Sequence, residues 1–287
     1  MTTDRRSLLK GFAAAAATMT VVSTPAAARE RKKAPSDAVG LLYDATKCVG
    51  CKACVVKCKE INALQADRRA DKLYDAPEGL NEYTKNVIQL ARDGGEESYV
   101  KKQCMHCVDP ACVGACMLGA LQKGQFGIVK YDVERCVGCR YCQMACPFNV
   151  PKFEWTSRAP KIIKCELCKE RLAEGKQPGC TEVCPRKAVI FGKYDELLAE
   201  AHQRLSAEPQ KYVPKVYGEH DLGGTQVLYL SHIPFESLGF RFSGERAVPD
   251  VQQTVQHGIY KGFAGPVALY ALLGAVMFRN RKKGADE

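Results

Sequence analysis

The sequence predicts an α+β fold in which short strands and helices surround two nested pairs of cysteine-rich loops, followed by one C-terminal transmembrane helix. Three observations predict it: sixteen cysteines fall into groups of four, two groups lie in an internal repeat, and an apolar run stands near the C-terminus. The groups are Cys48, Cys51, Cys54 and Cys58; Cys104, Cys107, Cys112 and Cys116; Cys136, Cys139, Cys142 and Cys146; and Cys165, Cys168, Cys180 and Cys184.

The spacing within the groups indicates iron–sulfur ligation. The first and third groups read C-x2-C-x2-C-x3-C, and Pro147 follows the third. This is the bacterial ferredoxin signature for [4Fe–4S] clusters, in which the fourth cysteine serves the other cluster of a pair. The second group reads C-x2-C-x4-C-x3-C and the fourth C-x2-C-x11-C-x3-C. Four groups with no cysteine left over predict four [4Fe–4S] clusters, held in two nested bacterial-ferredoxin modules with insertions.

A disulfide framework and four-cysteine zinc sites are the other uses of so many cysteines. Disulfide scaffolds are usually short, whereas this chain has 287 residues. Structural zinc sites take two C-x2-C pairs, whereas here three cysteines step at intervals of three before a fourth follows. Gly50 and Gly138 separate the first two cysteines of their groups, where a missing Cβ lets backbone N–H groups approach cluster sulfurs. These observations favour clusters over both alternatives.

An internal repeat sets the order of the predicted elements. The segment from Tyr43 to Cys54 aligns with the segment from Tyr131 to Cys142 at a constant offset of 88 residues. Each unit is predicted as a short strand, a cysteine loop, a short helix and a returning strand. A hairpin expected between the second and third groups favours pairing those two, and therefore the first with the fourth. Cysteine spacing alone is equally compatible with sequential pairing.

The predicted organisation has four parts. They are a signal peptide at 1–28, a four-cluster domain at 29–206, an extended arm toward the membrane at 207–256, and a membrane anchor with a cytoplasmic basic tail at 257–287. The cluster domain comprises an inner module at about 100–150, an outer module at 39–60 with 160–195, and an insertion at 59–103.

Three segments outside the cysteine groups carry their own predictions. The polar insertion is either a surface loop region or a docking surface for a partner subunit. Asp195 is predicted to cap a helix that ends near Ser206, and the arm contains one predicted strand at Gln226–Leu230. The core-facing side of that helix carries Leu197, Leu198, Ala201 and Leu205 at helical spacing.

The N-terminus has the features of an export signal. Arg5 and Arg6 precede Leu9 and Lys10, an alanine-rich apolar stretch follows, and small residues end it at Ala26–Ala28. The paired arginines indicate the twin-arginine route, which exports folded proteins, so clusters can be inserted in the reducing cytoplasm first. A basic N-terminal helix is the alternative.

The C-terminal apolar run extends from Gly262 to Phe278 and rises roughly 25 Å as a helix, at the lower limit for a membrane span. It is followed by Arg279, Arg281, Lys282 and Lys283. The positive-inside rule then puts the C-terminus in the cytoplasm and the cluster domain on the periplasmic face of the cytoplasmic membrane. The alternative is a buried core helix.

The formal charge of +10 taken alone would suit an anionic partner such as nucleic acid. However, a [4Fe–4S]²⁺ core with four thiolates carries about −2, so four clusters leave roughly +2. Removing the signal peptide brings the protein near neutrality. The sequence has no basic helical stripe with stacking aromatics, so we expect no nucleic-acid partner.

The chain resembles the four-cluster, ferredoxin-like electron-transfer subunits of membrane-bound bacterial oxidoreductases. This group includes formate dehydrogenase β and dimethyl sulfoxide reductase B subunits. It is most similar to the subunit that serves periplasm-facing [NiFe] hydrogenases. The segments that carry the resemblance are Lys101–Pro110, Gly138–Cys142, Asn149–Lys152, Lys164–Cys168 and Gly223–Val227. Met117 departs from the family pattern, because a proline commonly follows the fourth cysteine of the second group, which here is Cys116.

The resemblance implies nested ligation by four cysteine sets, named A to D below. Set A is Cys48, Cys51, Cys54 and Cys184; set B is Cys58, Cys165, Cys168 and Cys180; set C is Cys104, Cys107, Cys112 and Cys146; and set D is Cys116, Cys136, Cys139 and Cys142. Gly50, Gly138 and His106 are predicted to lie beside clusters without ligating them. His257 and Tyr260 are predicted at the membrane interface, near a quinone-reactive partner.

The function expected from the resemblance is an electron relay with no catalytic residue of its own. Electrons from hydrogen oxidation by the hydrogenase small and large subunits would pass through the clusters to an integral-membrane, quinone-reactive subunit. The alternative is the same relay in a formate dehydrogenase or another molybdopterin oxidoreductase. A more remote alternative is a metal-binding structural or redox-sensing protein without electron transfer.

Overall fold

The computed structural model describes residues 31–65, 79–155, 157–158, 160–240, 244–250 and 266–278. Arg31–Pro249 forms one compact unit, and the described helix at 266–278 belongs to another. The predicted signal peptide, His257 and Tyr260 lie outside the described residues.

The larger unit alternates short strands with short helices. Its strands are β1 (Val39–Asp44), β2 (Asn86–Asp93), β3 (Glu96–Gln103), β4 (Leu121–Lys123), β5 (Val129–Tyr131), β6 (Lys152–Phe153), β7 (Ile162–Ile163), β8 (Val189–Lys193) and β9 (Val227–Leu230). Its helices are α1 (Ala53–Ile61), α2 (Ala111–Gly114), α3 (Tyr141–Ala145), α4 (Lys169–Ala173), α5 (Gly179–Glu182) and α6 (Tyr194–Ala207), and 3-10 turns occupy Gln125–Gly127 and Asp221–Gly223. The helix at 266–278 is α7.

The strand pairing follows the nested order rather than the sequential one. β1, which precedes the first cysteine group, pairs antiparallel with β8, which follows the fourth. β5, which precedes the third group, pairs antiparallel with β4, which follows the second. The two strand pairs therefore join the first group to the fourth and the second to the third, as the expected hairpin between the inner groups suggested.

The central sheet has the order β8-β1-β9 and separates two cores. Along β1 the side chains alternate between the faces, as a strand requires. Leu41 and Tyr43 pack with residues of the β2-β3 hairpin, whereas Leu42 packs under α6. Because both faces are covered, β1 is among the most deeply buried segments of the described chain.

Helix α6 lies close to its predicted limits and uses the predicted face. Leu197 and Ala201 are buried, and Leu198 and Leu205 pack at the edge of the same core. The prediction that Asp195 caps the helix was wrong, since Lys193 holds the N-cap position without a side-chain cap. Asp195 instead lies in the first turn, where its charge still interacts favourably with the helix dipole.

The predicted arm at 207–256 is not extended over its described residues up to 240. Within it, β9 confirms the predicted strand and pairs in parallel with β1. The aromatic rings of Tyr217, Tyr229 and Phe240 pack against one another with centroids 4.5 and 4.9 Å apart. Aromatic burial of this kind favours a folded core over a solvated arm, so this segment forms a wall of the cluster domain.

The insertion at 59–103, predicted as either a surface loop region or a docking surface, contains an ordered hairpin. Strands β2 and β3 pair over their full length, and Gly94 and Gly95 make the turn with φ values of 55° and 92°. Positive φ at both turn residues is what a two-residue hairpin turn of type I′ requires. Val87, Ile88 and Val100 are buried, so the hairpin is a second cover over the central sheet.

The C-terminal helix α7 covers 13 of the 17 residues of the predicted apolar span. Its described side chains are exposed. Among the described residues no helix has both the length and the apolar character needed to cross a membrane.

Candidate iron–sulfur sites

The two loops of the internal repeat adopt the same backbone. Gly50 and Gly138 have φ values of 70° and 72°, and Lys52 and Arg140 enter the following helices at 58° and 64°. A left-handed residue at each of these points turns the chain around a central space, and glycine does so without strain. A Cβ on Gly50 would lie 2.4 Å from the Tyr99 ring, and one on Gly138 would lie 2.7 Å from Pro160. Both glycines are therefore required by conformation and by packing.

Set A surrounds one cavity. Cys48, Cys51, Cys54 and Cys184 line it together, with apolar neighbours from β1, β2 and β8 and the side chain of Lys101. Three of these cysteines come from the first group and one from the fourth. The strand pair β1-β8 brings them together across the sheet.

The electrostatic neighbours of three other cysteines identify the remaining sets. Burial raises the pKa of Cys58 to about 12, with further contributions from the other members of set B, Cys165, Cys180 and Cys168. The pKa of Cys107 in set C is raised mainly by burial, and also by the charges of Cys146, Cys104 and Cys112. The pKa of Cys142 in set D is raised to about 12, mainly by burial and also by the charges of Cys136, Cys116 and Cys139.

Contacts between sets give them a linear order. Cys180 of set B lies close enough to Cys54 of set A for its charge to raise the pKa of Cys54. Cys165 of set B meets Cys104 of set C in one buried cluster of side chains. In another, Cys112 of set C meets Cys142 of set D. The order is therefore A, B, C, D, with sets A and D at the two ends.

Backbone donors point at several of the sulfurs. The N–H groups of Ala120 and Ala188 donate to Cys116 Sγ and Cys184 Sγ at 3.2 and 3.3 Å. These two cysteines end the second and fourth groups, and each donor lies four residues further on. Hydrogen bonds of this type stabilise sulfur that carries negative charge and influence cluster reduction potential.

The donor chemistry fits [4Fe–4S] groups. Soft thiolates favour such clusters, yet burial makes bare thiolates costly here, and iron would offset that cost. Within the described residues, no three His, Cys, Asp or Glu side chains converge closely enough to hold a single metal ion. The inference that these cysteines suit [4Fe–4S] clusters therefore rests on the cavity of set A, on the four-cysteine groupings and on unpaired N–H donors nearby.

Three buried N–H donors beside the cysteine loops have no hydrogen-bond partner in the described chain: Gln103 Nε2, His106 Nε2 and Arg140 Nε. His106 is fully buried, and its Nδ1 accepts the Val129 N–H at 3.1 Å. That bond places the ring proton on Nε2. Burial, with the charges of Lys164 and Lys123, lowers the pKa of His106 well below its ordinary value. A neutral ring with one unused donor suits a group beside a cluster sulfur rather than a ligand.

Sequence reasoning missed two buried lysines. Lys101 and Lys164 are 1% and 2% exposed, and both lie among the cysteine sets. In the sequence they precede Cys104 and Cys165 within the family-like segments, which is the signal that could have found them. Met117, which departs from the family pattern, is 91% exposed. Trp155 stacks on Arg140, with 3.9 Å between the guanidinium carbon and the ring centroid.

Comparison with known proteins agrees with this arrangement. Residues 96–194 match the model of the 4Fe-4S dicluster domain. The Hydrogenase-2 operon protein HybA of Escherichia coli O157:H7 is 40% identical over 315 aligned positions, which cover 97% of this chain and 96% of the relative. The chain belongs to the HybA family.

Iron–sulfur subunits of formate dehydrogenases are also similar to this HybA-family chain. The nitrate-inducible subunit of Escherichia coli K12 is 36% identical over 68% of each chain. The subunit of Haemophilus influenzae is 32% identical over 83% of this chain and 78% of its own. Family membership confirms the predicted class of protein, an iron–sulfur electron-transfer subunit rather than a catalytic one.

Proposed function

We propose that this chain relays electrons through four [4Fe–4S] clusters, held by sets A to D, from the catalytic subunits of a [NiFe] hydrogenase to a quinone-reactive membrane subunit. The observation that carries the proposal is the grouping of all sixteen cysteines into four neighbouring sets. Each cluster, when bound, accepts and donates single electrons. The chain binds the clusters, excludes water and directs N–H groups at the sulfurs.

The linear order of the sets supports a relay rather than isolated structural centres. Electrons need an entry and an exit, and the terminal sets A and D each include an exposed cysteine, Cys51 and Cys139. Beside them, Val49 and Val137 are 53% and 71% exposed, although both are apolar. Exposed apolar side chains at both ends suit docking of redox partners.

The length of the match supports a hydrogenase as the partner. The HybA relative is covered almost completely, whereas the nitrate-inducible formate dehydrogenase subunit is covered over 68% of its length. Its similarity makes a formate dehydrogenase the second candidate partner for the same relay.

Export and anchoring complete the proposal. A twin-arginine signal at 1–28 would carry the loaded domain to the periplasmic face, and the apolar run Gly262–Phe278 would anchor it with the basic tail in the cytoplasm. The apolar composition of that run and the basic residues after it support this orientation. His257 and Tyr260 would then lie at the outer membrane interface, close to the quinone-reactive subunit.

Anaerobic purification of the full-length protein from membranes tests the proposal. We expect about sixteen iron and sixteen sulfide per chain, since four cubane clusters contain four of each, together with low-temperature EPR signals of reduced clusters. Mass spectrometry of the copurified catalytic subunit should identify a hydrogenase. Tightly bound zinc or clearly fewer clusters would contradict the relay, and a molybdopterin subunit would replace the hydrogenase as the partner.

A further inference from the structure

Two fully buried lysines require an explanation that surface lysines do not. Ammonium groups are almost never buried unless they are paired, because desolvation of a charge is costly. The hydrogen bonds of Lys101 and Lys164 go to neutral groups. Lys101 Nζ donates to the Gln103 side-chain oxygen, and Lys164 Nζ donates to the carbonyl oxygens of Val129 and Cys165.

Lys101 lies between sets A and B. It lines the cavity formed by the set A cysteines. Its charge opposes the effect of burial on the pKa values of Cys54 in set A and of Cys58 and Cys180 in set B.

Lys164 lies at the next junction, between sets B and C. Its Nζ is 3.0 Å from the carbonyl oxygen of Cys165, a member of set B. Its other carbonyl partner belongs to Val129, which packs in one buried cluster with Cys112 of set C, and its charge acts on Cys104 and Cys112. The two lysines therefore stand at consecutive steps of the linear order.

We propose that Lys101 and Lys164 are fixed countercharges at the A–B and B–C junctions, which raise the reduction potentials of the clusters on either side. One-electron reduction takes a cluster with its four thiolates from a net charge of about −2 to about −3, with no proton required. A nearby cation in a medium of low dielectric stabilises the more negative state. This inference rests on the proposed relay, because it needs clusters in sets A, B and C.

Redox titration followed by EPR on the anaerobic full-length protein tests the inference. In Lys101→Met we expect the midpoint potentials of two clusters to fall, whereas Lys101→Arg, which keeps the charge, should retain them near the native values. Lys164→Met should lower two potentials as well, and one affected cluster should be common to both methionine variants. Iron and sulfide content is measured in each sample to establish that four clusters remain.

Lys102→Met is the matched control. Lys102 is the next residue and is also largely removed from water, so burial lowers its pKa to about 8, with no cysteine among the causes. It donates to the Leu238 carbonyl oxygen and lies over the Phe240 ring. We expect its substitution to leave all four midpoint potentials unchanged.

The outcomes separate the inference from the relay on which it rests. Unshifted potentials in a four-cluster Lys101→Met protein would overturn the countercharge role while leaving the relay intact. Absence of cubane signals in the native protein would overturn the relay itself. If Lys101→Met fails to assemble, Lys101→Gln and Lys164→Met decide the question by the same criterion.

Discussion

Sets A and D occupy equivalent places in the internal repeat, but the protein around them differs greatly. The strand that leads into set A is β1, which is paired on both edges and covered on both faces. The strand that leads into set D is β5, a three-residue strand paired only with β4 among the described strands. The same cysteine loop is therefore supported at one end by a strand packed on both faces, and at the other by one smaller hydrophobic cluster around β4 and β5.

The equivalent aspartates Asp44 and Asp132 show the contrast at single residues. Each accepts the backbone N–H two residues ahead, from Thr46 at 3.1 Å and Glu134 at 3.0 Å. This shared turn begins both loops. Beyond it, Asp44 is fully buried and pairs with Arg204 of α6 at 3.1 Å, whereas Asp132 remains partly exposed.

The cysteine spacing therefore specifies the loop, whereas the flanking chain decides how far the loop depends on its cluster. At set A, packing of β1 holds the loop in place. At set D, we expect the cluster itself to be the main cross-link, as in other domains whose folding free energy comes from metal binding.

Serine at the equivalent cysteines Cys54 and Cys142 provides the strongest test of this contrast. Each substitution should remove one terminal cluster and lower hydrogen-driven quinone reduction to background, because a linear relay has no bypass. In Cys142→Ser we further expect rapid proteolysis near the third group, whereas Cys54→Ser should stay resistant there. Activity assays, EPR and limited proteolysis with mass spectrometry measure the three effects.

The native protein digested in parallel is the control for this pair. Equal protease resistance of the two cysteine variants would remove the proposed difference between the ends. Retained quinone reduction in either variant would contradict a linear relay.

Asparagine at Asp44 and Asp132 should give the next largest effect. Asparagine keeps the side-chain oxygen that accepts the turn N–H, but its amide group replaces the second oxygen, which in Asp44 accepts from Arg204 and from the Tyr212 hydroxyl. Asp44→Asn leaves Arg204 without its buried partner, and we expect a loss of about 3 kcal/mol, or a fall in Tm of roughly 6–12 °C. Asp132→Asn removes a solvent-exposed pair with Arg135 and should cost below about 1 kcal/mol.

Thermal unfolding of the anaerobic holoproteins measures both changes. Arg204→Met in the Asp44→Asn background completes the test, since removing the second charge should recover part of the lost stability. Equal Tm values for the two asparagine variants would show that burial around β1 does not distinguish the ends.

The sequence predicts the local features of this fold better than the contacts between distant segments. Cysteine spacing and the repeat predict the loops, because these patterns are local. The hairpin expected between the second and third groups favours the nested strand pairs, and the strand at Gln226–Leu230 is a separate prediction. Parallel pairing of β9 with β1 joins residues far apart in the chain, and the Tyr-, Pro- and Gly-rich composition around β9 is also typical of loops. Burial of Lys101 and Lys164 could not be predicted, since their environment is created by cysteines from three different groups.

The smallest expected effect concerns Tyr43 and Tyr131, the equivalent tyrosines at the ends of β1 and β5. The Tyr43 hydroxyl is buried and donates to the Tyr99 carbonyl oxygen at 2.9 Å, which ties β1 to the hairpin. The half-buried Tyr131 hydroxyl accepts the Ile162 N–H at a longer 3.3 Å. We expect Tyr43→Phe to cost about 1.5 kcal/mol and Tyr131→Phe about 0.5 kcal/mol, with both proteins retaining four clusters. Holoprotein Tm values measure the difference, and a larger decrease for Tyr131→Phe would mean that the end around set D depends on protein packing after all.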